Sequence, residues 1–363
     1  MNPYSSLPSK SFWRPSVAEK CFLEIEGLWS PKFRIRPSHK VSTYGSCFAQ
    51  HIGRALRERG FNWFLTEEAP KGLSQESAAE YNYGIFSSRT GNIYTTSLLL
   101  QWLQWAFGEA EAPAEIWEQA GRFYDPFRPA IEPGGFASKE ELLRSRQEVL
   151  RSLRRSVSEA DVFVFTLGLT ERWLNQSHGY EYPMCPGTTA GTFDGAKHVF
   201  DNMDYKTVLT ALRAAIAICR KANPKLQILL TVSPVPLTAT ASGKHVLVAS
   251  SQSKSILRAV AGKLSDNQRC IDYFPSYEII TSPPFRGAFF EPNQRSVARQ
   301  GVAFVMDSFF RDLEAAFGAR GPAAGEKVRR DIKAAKPALK KKQSSQNIVC
   351  EEEILDAFGK EPR

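Results

Sequence analysis

The feature that most constrains the fold is a series of short apolar runs separated by longer segments with helical periodicity. Two of these runs, residues 161–167 (DVFVFTL) and Gln227–Val232 (QILLTV), are apolar throughout most of their length. Continuous apolar runs of this kind are typical of strands buried on both faces of a parallel sheet. Strands that alternate with long helices predict that helices cover both faces. We therefore expect an α/β fold, a three-layer αβα sandwich with a mostly parallel sheet.

The same patterns predict the remaining elements. Further strands are expected over residues 40–44, 61–65 and 270–274, and helices over 48–59, 95–107, 138–158, 204–221, 250–264 and 297–317. Ser138 is a predicted N-cap, and Glu141 stands where it would complete a capping box.

Composition divides the chain into four parts. Its 363 residues suffice for one large α/β domain or two small ones. Residues 1–39, rich in Pro and Ser, are expected to form an extended arm on a main domain at 40–318. Residues 319–346, rich in Ala, Gly, Lys and Pro, predict a flexible basic linker. Residues 347–363 are expected to form a tail, with a short amphipathic helix over 348–358.

Charge and hydropathy exclude several classes of protein. The formal net charge is +9, and much of it lies in residues 327–342. Charge concentrated in a tail favours solubility and weak anion contacts. Because no zinc-finger, RNA-recognition or helix-turn-helix pattern accompanies it, we do not expect nucleic-acid binding. No apolar run approaches the length of a membrane span, and no signal peptide is recognisable. We expect a soluble cytoplasmic protein.

The six cysteines form no CxxC pair and are spread along the chain, at positions 21, 47, 185, 219, 270 and 350. In a domain of this size without a signal peptide, this spacing predicts free thiols in a reducing compartment. We expect no metal site.

Ligands of parallel α/β sheets bind beyond the carboxyl ends of the strands, so the residues after each strand are informative. Gly45, Ser46 and Cys47 follow the first strand and precede a helix. The glycine allows a tight turn, and N–H groups at the helix start favour negative charge and a lowered thiol pKa. The alternative is a small buried thiol that packs the junction.

A second polar turn follows residues 161–167, at Gly168-Leu169-Thr170-Glu171-Arg172-Trp173. Polar groups here can donate to an oxyanion or bind substrate. The alternative is a plain helix start, with Thr170 as the N-cap and Glu171 in the first turn.

These turns carry a family resemblance. Residues 44–50 (YGSCFAQ) contain the motif of the GSCFA domain family, and residues 168–173, 233–237, 253–255 and 273–278 extend the resemblance over roughly 40–310. That family resembles the SGNH (GDSL-type) hydrolase and acyltransferase superfamily. The resemblance implies a flavodoxin-like fold, bacterial origin, a link to surface polysaccharide synthesis and no cofactor.

The resemblance also implies site residues. The nucleophile falls on Cys47, with Ser46 in the place of an aspartate and as the competing nucleophile. The oxyanion hole falls on Gly84 and on Thr170, where the superfamily has asparagine. Gly45, Glu171 and Arg172 share these turns and are expected to bind substrate, as is Arg89. Together with Lys254 and Arg286, the two arginines suit an anionic group; the alternative for each is a surface cation.

One departure concerns the general base. The superfamily carries Asp-x-x-His before the final helix, but the corresponding frame here is Asn293-Gln294-Arg295-Ser296. His51, four residues after Cys47, shares its helix face and leans toward it, and is otherwise a polar residue on a half-buried helix. His198 follows in a glycine-rich loop. Both rank above His245, whereas His39 and His178 suit exposed loops.

The sequence therefore leads to two hypotheses. The first is an SGNH-like hydrolase or O-acyltransferase that acts on acyl esters of a carbohydrate or other small molecule through an acyl-enzyme on Cys47. Acyl-CoA is an alternative acyl donor. The second is a non-catalytic binding or scaffold protein on a decayed SGNH fold, which the missing Asp-x-x-His supports.

Overall fold

A computed structural model describes residues 2–318 and 350–359. The predicted linker at 319–346 lies outside the described residues. The strands are β1 (Val41–Gly45), β2 (Trp117–Gln119), β3 (Arg122–Tyr124), β4 (Val162–Leu167), β5 (Glu171–Asn175), β6 (Glu181–Tyr182), β7 (His198–Asn202), β8 (Gln227–Val232) and β9 (Ile271–Tyr273). The α-helices are α1 (Ala49–Glu58), α2 (Gln75–Glu80), α3 (Thr96–Phe107), α4 (Lys139–Ser158), α5 (Tyr205–Ala222), α6 (Val246–Asn267), α7 (Ser276–Thr281) and α8 (Arg299–Phe317).

The central sheet has four parallel strands in the order β1-β4-β8-β9, which confirms the α/β class. The strand predicted at residues 61–65 is reduced to a parallel bridge between Trp63 and Val41. It pairs over so short a stretch because the chain then turns away, and the Thr66 N–H donates to the Ser87 carbonyl at 2.7 Å. If the five parallel segments, this bridge included, are numbered along the chain, their spatial order across the sheet is 2-1-3-4-5, as in flavodoxin-like folds.

Alternate residues of the strands build two cores. Tyr44, Phe163 and Phe165 pack on one face with α3, α4, α5 and α6. Val41 and Val162 pack on the other face with α1, α7 and α8. Helix α1, which follows β1, thus lies on the opposite face of the sheet from α3 and α4, which follow residues 61–65. The topological switch point of this fold is therefore the crevice between the carboxyl ends of β1 and β4.

Local signals place the long helices well. Ser138 caps α4, and its hydroxyl accepts from the Glu141 N–H at 3.1 Å. The Glu141 carboxylate accepts in return from the Ala137 N–H at 3.0 Å, one residue before the cap. The predicted pair is therefore present in a slightly shifted form of the capping box.

Two small antiparallel sheets were not predicted. The first is the β2-β3 hairpin, and the second has the order β6-β5-β7. Here the interpretation of Thr170 as a helix cap is wrong, because the following residues form β5, paired with β7 from Glu171–Asn202 to Asn175–His198. A local helix signal has yielded to long-range pairing. His198 accordingly opens a strand and not a loop.

The terminal segments both contact the domain. Before β1, the chain forms short 3₁₀ and π turns, and Ile25, Trp29 and Ile35 are buried in the second core. The Trp29 ring stacks on Phe309 with centroids 5.1 Å apart. An amphipathic helix was expected over residues 348–358, of which 348 and 349 lie outside the described part. Within this range, residues 351–357 form a 3₁₀ helix. Within that part, none of the helices combines the length and apolarity needed to cross a bilayer.

Candidate active site

The turn after β1 depends on a glycine. Gly45 has φ +129°, and a Cβ at this position would lie 2.3 Å from the Thr166 carbonyl oxygen on β4. The Ser46 N–H donates to the same oxygen at 3.0 Å, which fixes the turn against β4. Only a residue without a side chain allows the strands to approach this closely.

Ser46 and Cys47 differ in their surroundings. Ser46 is 2% exposed, and its hydroxyl has no hydrogen-bond partner among the residues described. Its Cβ lies 3.1 Å from the position a Cβ would take on Gly168. Cys47 is 4% exposed and lies next to Cys350, so the structure places a second thiol at the predicted nucleophile.

The expected lowering of the Cys47 pKa is not found. Interaction with Cys350 raises the pKa of Cys47 well above its usual value, and burial adds to this effect. The same interaction, with the charge of Arg295, lowers the pKa of Cys350 to about 6 against the opposing effect of burial. The pair therefore favours a proton on Cys47 and a thiolate on Cys350. The helix start has less influence than burial and the second thiol.

Lys254 brings an amine to this cluster from α6. Its side chain is buried, and its Nζ donates to the Gly168 carbonyl at 2.7 Å. Burial lowers the pKa of Lys254 to about 8, although the charges of Glu352 and Cys47 act in the opposite direction. An amine with this pKa is partly neutral near physiological pH, so it can accept a proton.

Arg295 adds a permanent positive charge. Its Nη2 donates to the Cys350 sulfur at 3.7 Å, and it forms ion pairs at 3.6 Å with Glu352 and with Glu353. The Cys47 thiol also feels this charge. The frame in which the superfamily has Asp-x-x-His thus supplies an arginine to the site.

Two carboxyl groups of the C-terminal segment, defined as residues 350–359, are buried here. Burial raises the pKa of Glu352 to about 8 and that of Glu351 to about 7, and Asn92 partly offsets the latter through hydrogen bonds. A Cβ added to Gly91 would lie 3.2 Å from Oε1 of Glu351. The loop of Gly91 and Asn92 therefore holds a carboxylate near the two thiols.

A cavity of about 280 Å³ lies beside the C-terminal segment. Leu355 and Phe358 line one side of it. The opposite wall consists mainly of apolar side chains from β5, β7 and neighbouring loops, among them Leu169, Trp173, Met184, Phe200 and Leu237. Glu171 also lines it and accepts from the Thr240 hydroxyl at 2.5 Å, and burial raises the pKa of Glu171. The cavity suits an apolar group next to a few polar ones.

Thr170, which directly precedes β5, is fully buried. Its N–H donates to the Ser253 hydroxyl at 3.1 Å, and its own hydroxyl donates to Asn202 at 2.7 Å. Both donors are thus engaged in this conformation.

The predicted Gly84, Arg89 and Arg172 lie in other surroundings. Gly84 occupies a turn with φ +65°. The Arg89 guanidinium donates to the carbonyls of Tyr81 and Ile131 at 2.8 and 3.1 Å. Arg172 Nε donates to Asp201 at 2.7 Å, and a second ion pair at 3.7 Å joins Arg172 to Glu181.

The two predicted bases have aromatic neighbours. His51 packs against Phe48 with ring centroids 5.3 Å apart, and burial lowers the pKa of His51 to about 4. His198 accepts from the Asp194 N–H at 3.0 Å and packs edge-on against Tyr182. No hydrogen bond joins either histidine to Cys47 within residues 2–318 and 350–359.

Sequence reasoning missed Asn92, Arg295, Glu352 and Cys350 as neighbours of the site. It named Lys254 only as a cation for substrate. A signal existed for Arg295, which stands in the frame of the absent histidine. No signal in the sequence associates Cys350 with Cys47, because 302 residues separate them. Among described residues, no group of His, Cys, Asp and Glu has the arrangement of a metal site.

Comparisons with known proteins complete the description of the site. No curated protein matches the chain. One similar solved structure is an acetyl xylan esterase from the rumen bacterium Butyrivibrio proteoclasticus, at 15% identity and a TM-score of 0.24. The match covers 44% of this chain and 37% of that one. The model of the GSCFA family matches residues 40–309, a range that contains β1, the Cys47 turn, Lys254 and Arg295. The chain belongs to the GSCFA family.

Proposed function

We propose that the protein is an esterase-like enzyme that forms a thioester on Cys47 and passes the acyl group to water or to a sugar hydroxyl. The observation that carries this proposal is the environment of Cys47. A nucleophile at the switch point of a flavodoxin-like sheet has a buried amine, Lys254, and a guanidinium, Arg295, in its electrostatic neighbourhood. Nucleophile, proton acceptor and positive charge are the groups that acyl transfer requires.

In the first step, the neutral amine of Lys254 takes the proton of the Cys47 thiol. The thiolate attacks the acyl carbonyl and forms the C–S bond. The tetrahedral intermediate then expels the alcohol oxygen, which takes the proton from the Lys254 ammonium. A thioester on Cys47 remains. In the second step, the same amine deprotonates water or a hydroxyl, whose oxygen attacks the thioester carbonyl. The C–S bond then breaks, the acid or the new ester leaves, and the Lys254 ammonium returns the proton to the Cys47 sulfur.

Lys254 takes this role in place of His51 and His198 for an electrostatic reason. The charge of Lys254 interacts with Cys47, whereas the two histidines pack against Phe48 and against Tyr182. A lysine with a lowered pKa is an established type of general base.

The negative charge on the carbonyl oxygen needs donors. We assign them to the N–H groups of Cys47 and Phe48, in the turn before α1, and to Asn92, whose contact with the Glu351 carboxylate supports binding of an anionic oxygen. Asn92 replaces Gly84 in this assignment. Thr170 contributes by fixing Ser253, the neighbour of Lys254, through its N–H.

The acyl group is proposed to be small and apolar and to enter the 280 Å³ cavity, which lies alongside Glu352. A carbohydrate ester is the proposed substrate. An acyl-CoA donor is the alternative, and Arg295 offers the positive charge that its phosphates would need.

A second function is favoured by one observation. Cys47 is 4% exposed beneath the C-terminal segment, and its thiol is held protonated. A protein that uses the same cavity only to bind a ligand would also have these features.

Mass spectrometry separates the two functions. The full chain is mixed with a short-chain chromogenic ester, quenched in acid and examined for one added acyl group, which peptide mapping assigns to a cysteine. We expect the adduct on Cys47 in the wild type, none in Cys47→Ala, and retention of adduct and turnover in Cys21→Ala, which removes an exposed thiol.

Acetylated oligosaccharides and acyl-CoA are then tested as donors on the same three proteins. Turnover that requires Cys47 supports the enzyme. If wild type and Cys47→Ala release acid and form adducts equally with every donor, the catalytic proposal fails and the binding protein remains.

A further inference from the structure

Cys47, the proposed nucleophile, has a second thiol beside it, that of Cys350, which is distant in the sequence. Cys47 is buried and Cys350 is partly buried, and a side-chain hydrogen bond joins the two thiols. No cysteine among the described residues is in a disulfide. The pair lies at the switch point of the sheet, so any bond between the two sulfurs would consume the proposed nucleophile.

Arg295 makes Cys350 the more reactive of the two thiols. Its Nη2 donates to the Cys350 sulfur at 3.7 Å and stabilises a thiolate there. Thiolates, and not thiols, attack peroxides and disulfides. Cys47 then stands as the resolving thiol beside it. This is the arrangement that redox-sensing cysteine pairs require.

The C-terminal segment is held at this position by several independent contacts. Glu352 and Glu353 pair with Arg295, and Glu351 rests on the loop of Gly91. Leu355 adds an apolar contact at the cavity. The two sulfurs are therefore brought together by contacts of the whole segment and not by the thiols alone.

We propose that Cys47 and Cys350 are a redox modification site, and that a peroxide joins them in a disulfide that locks the C-terminal segment over the cavity. The Cys350 thiolate attacks one oxygen of hydrogen peroxide, the O–O bond breaks, and the released hydroxide takes a proton from solvent. Cys350 is then a sulfenic acid. Cys47 loses its proton and attacks the Cys350 sulfur, so that the S–S bond forms and the S–O bond breaks. The second hydroxide takes the proton from Cys47 and leaves as water. Two thiol sulfurs are oxidised, and one peroxide is reduced to two waters.

The proposal goes beyond the proposed catalysis and does not depend on it. A disulfide at this position forms in an enzyme and in a binding protein alike. In an enzyme it would stop turnover until a dithiol reductant restores the thiol.

Disulfide mapping tests the proposal. The full chain is treated with one equivalent of hydrogen peroxide, free thiols are blocked with iodoacetamide, and the protein is digested without reduction. We expect one linked peptide pair that contains Cys47 and Cys350, and its loss after dithiothreitol. A matched variant, Cys270→Ser, removes a half-buried thiol elsewhere and should leave the linked pair intact.

A second variant keeps the test decisive. In Cys350→Ser we expect no linked peptide that contains Cys47. The proposal is overturned if peroxide oxidises either cysteine of the wild type without linking them, or if Cys47 links equally to other cysteines. Because no turnover is measured, failure here leaves the acyl-transfer proposal untouched, and an inactive protein still gives the linked pair if the proposal is right.

Discussion

Gly45 shows how much of the site depends on one backbone position. Its φ of +129° is a conformation that L side chains rarely adopt, and a Cβ would meet the Thr166 carbonyl oxygen at 2.3 Å. Thr166 is in the buried strand β4 and has no room to retreat. The turn that presents Cys47 is therefore incompatible with any other residue at position 45.

Gly45→Ala is expected to destabilise the protein by at least about 1–3 kcal/mol from backbone strain alone, with the clash against β4 in addition. Chemical denaturation measures the change. Gly27→Ala is the matched control, since Gly27 also has a positive φ, +67°, but nothing lies within 4 Å of its Cβ position. Equal losses in the two variants would show that the contact with Thr166 has no energetic importance.

Lys254 gives the proposed reaction a defined pH dependence. Its pKa is lowered to about 8, mainly by burial. Because only the neutral amine accepts a proton, turnover should rise as pH increases through about 8 and fall below it. The charged and titratable groups that act on this amine are Cys47, Arg295, Cys350 and Glu352.

Lys254→Met is expected to reduce kcat/KM by roughly 10²–10⁴, the usual contribution of a general base. It should also remove the rise near pH 8. Lys263→Met changes an exposed lysine on the same helix and should preserve both. A purely structural role for Lys254 would lower the rate equally at all pH values, without altering the shape of the profile.

The site was predictable from sequence only where it is local. Gly45, Ser46 and Cys47 form one strand-turn-helix unit, which a few neighbouring residues specify. Lys254 and Arg295 reach the site from distant elements. Lys254 was expected only as a cation for substrate and Arg295 only by its frame, because residue type alone does not reveal burial and most lysines and arginines are solvated. A histidine was expected because the superfamily uses one, and the sequence carries no signal that a lysine interacts with the thiol.

At the scale of elements, a buried ionic cluster fixes the segment after β3 against α4. Asp125 Oδ2 accepts from Arg128 Nε at 2.9 Å, and Asp125 Oδ1 accepts from Arg146 Nη2 at 2.9 Å. Asp125 is fully buried, and the two arginines are 1% and 3% exposed. The carboxylate is therefore the shared ion-pair partner of two guanidinium groups that have little access to water.

Asp125→Asn should destabilise the protein by roughly 3–5 kcal/mol, because it leaves buried positive charges without their partner. Denaturation at pH 7 measures the loss. The control is Glu148→Gln on the outer side of α4, where the ion pair with Arg151 at 2.6 Å is exposed and should be worth less than about 1 kcal/mol. Similar effects of both substitutions would contradict the importance of burial for this cluster.

The elements differ in how far their own residues specify them. The helices α3, α4 and α5 and the strands β4 and β8 were predicted closely, since apolar periodicity and caps act within one segment. The sheet of β5, β6 and β7 was not, because its strands are short and polar and pair only through distant partners. Thr170 gave the opposite signal, which the tertiary pairing overrode.

At the scale of the whole molecule, the C-terminal segment is expected to limit access to Cys47, because its Cys350 lies next to that buried thiol. Leu355 lines the cavity, while the adjacent Ile354 does not. Leu355→Asp should weaken the segment's attachment, because it places a carboxylate against apolar walls. We expect faster alkylation of Cys47 by iodoacetamide in this variant than in the wild type.

Ile354→Asp provides the control for this experiment, since it makes the same change in charge at an exposed residue. Peptide mapping over time gives the rate at Cys47 and, as an internal reference, at the exposed Cys21. If Leu355→Asp leaves the ratio of the two rates unchanged, the segment does not limit access to the thiol.

The excursion that carries β5, β6 and β7 begins and ends at one point. The Met203 N–H donates to the Thr170 carbonyl at 3.0 Å, so residues 171–202 begin and end side by side, while Glu181 in their middle is hydrogen-bonded to Thr95 and Gln101 of the α3 region. This excursion supplies Trp173, Met184 and Phe200 to the cavity wall, but none of the groups that act on the Cys47 sulfur. If the proposed function is right, much of the surface that selects the ligand therefore comes from a different stretch of the chain than the groups around the reacting sulfur. Exchanging residues 171–202 should then alter what fits the cavity, provided that the hydrogen bonds of Glu181 with Thr95 and Gln101 are kept.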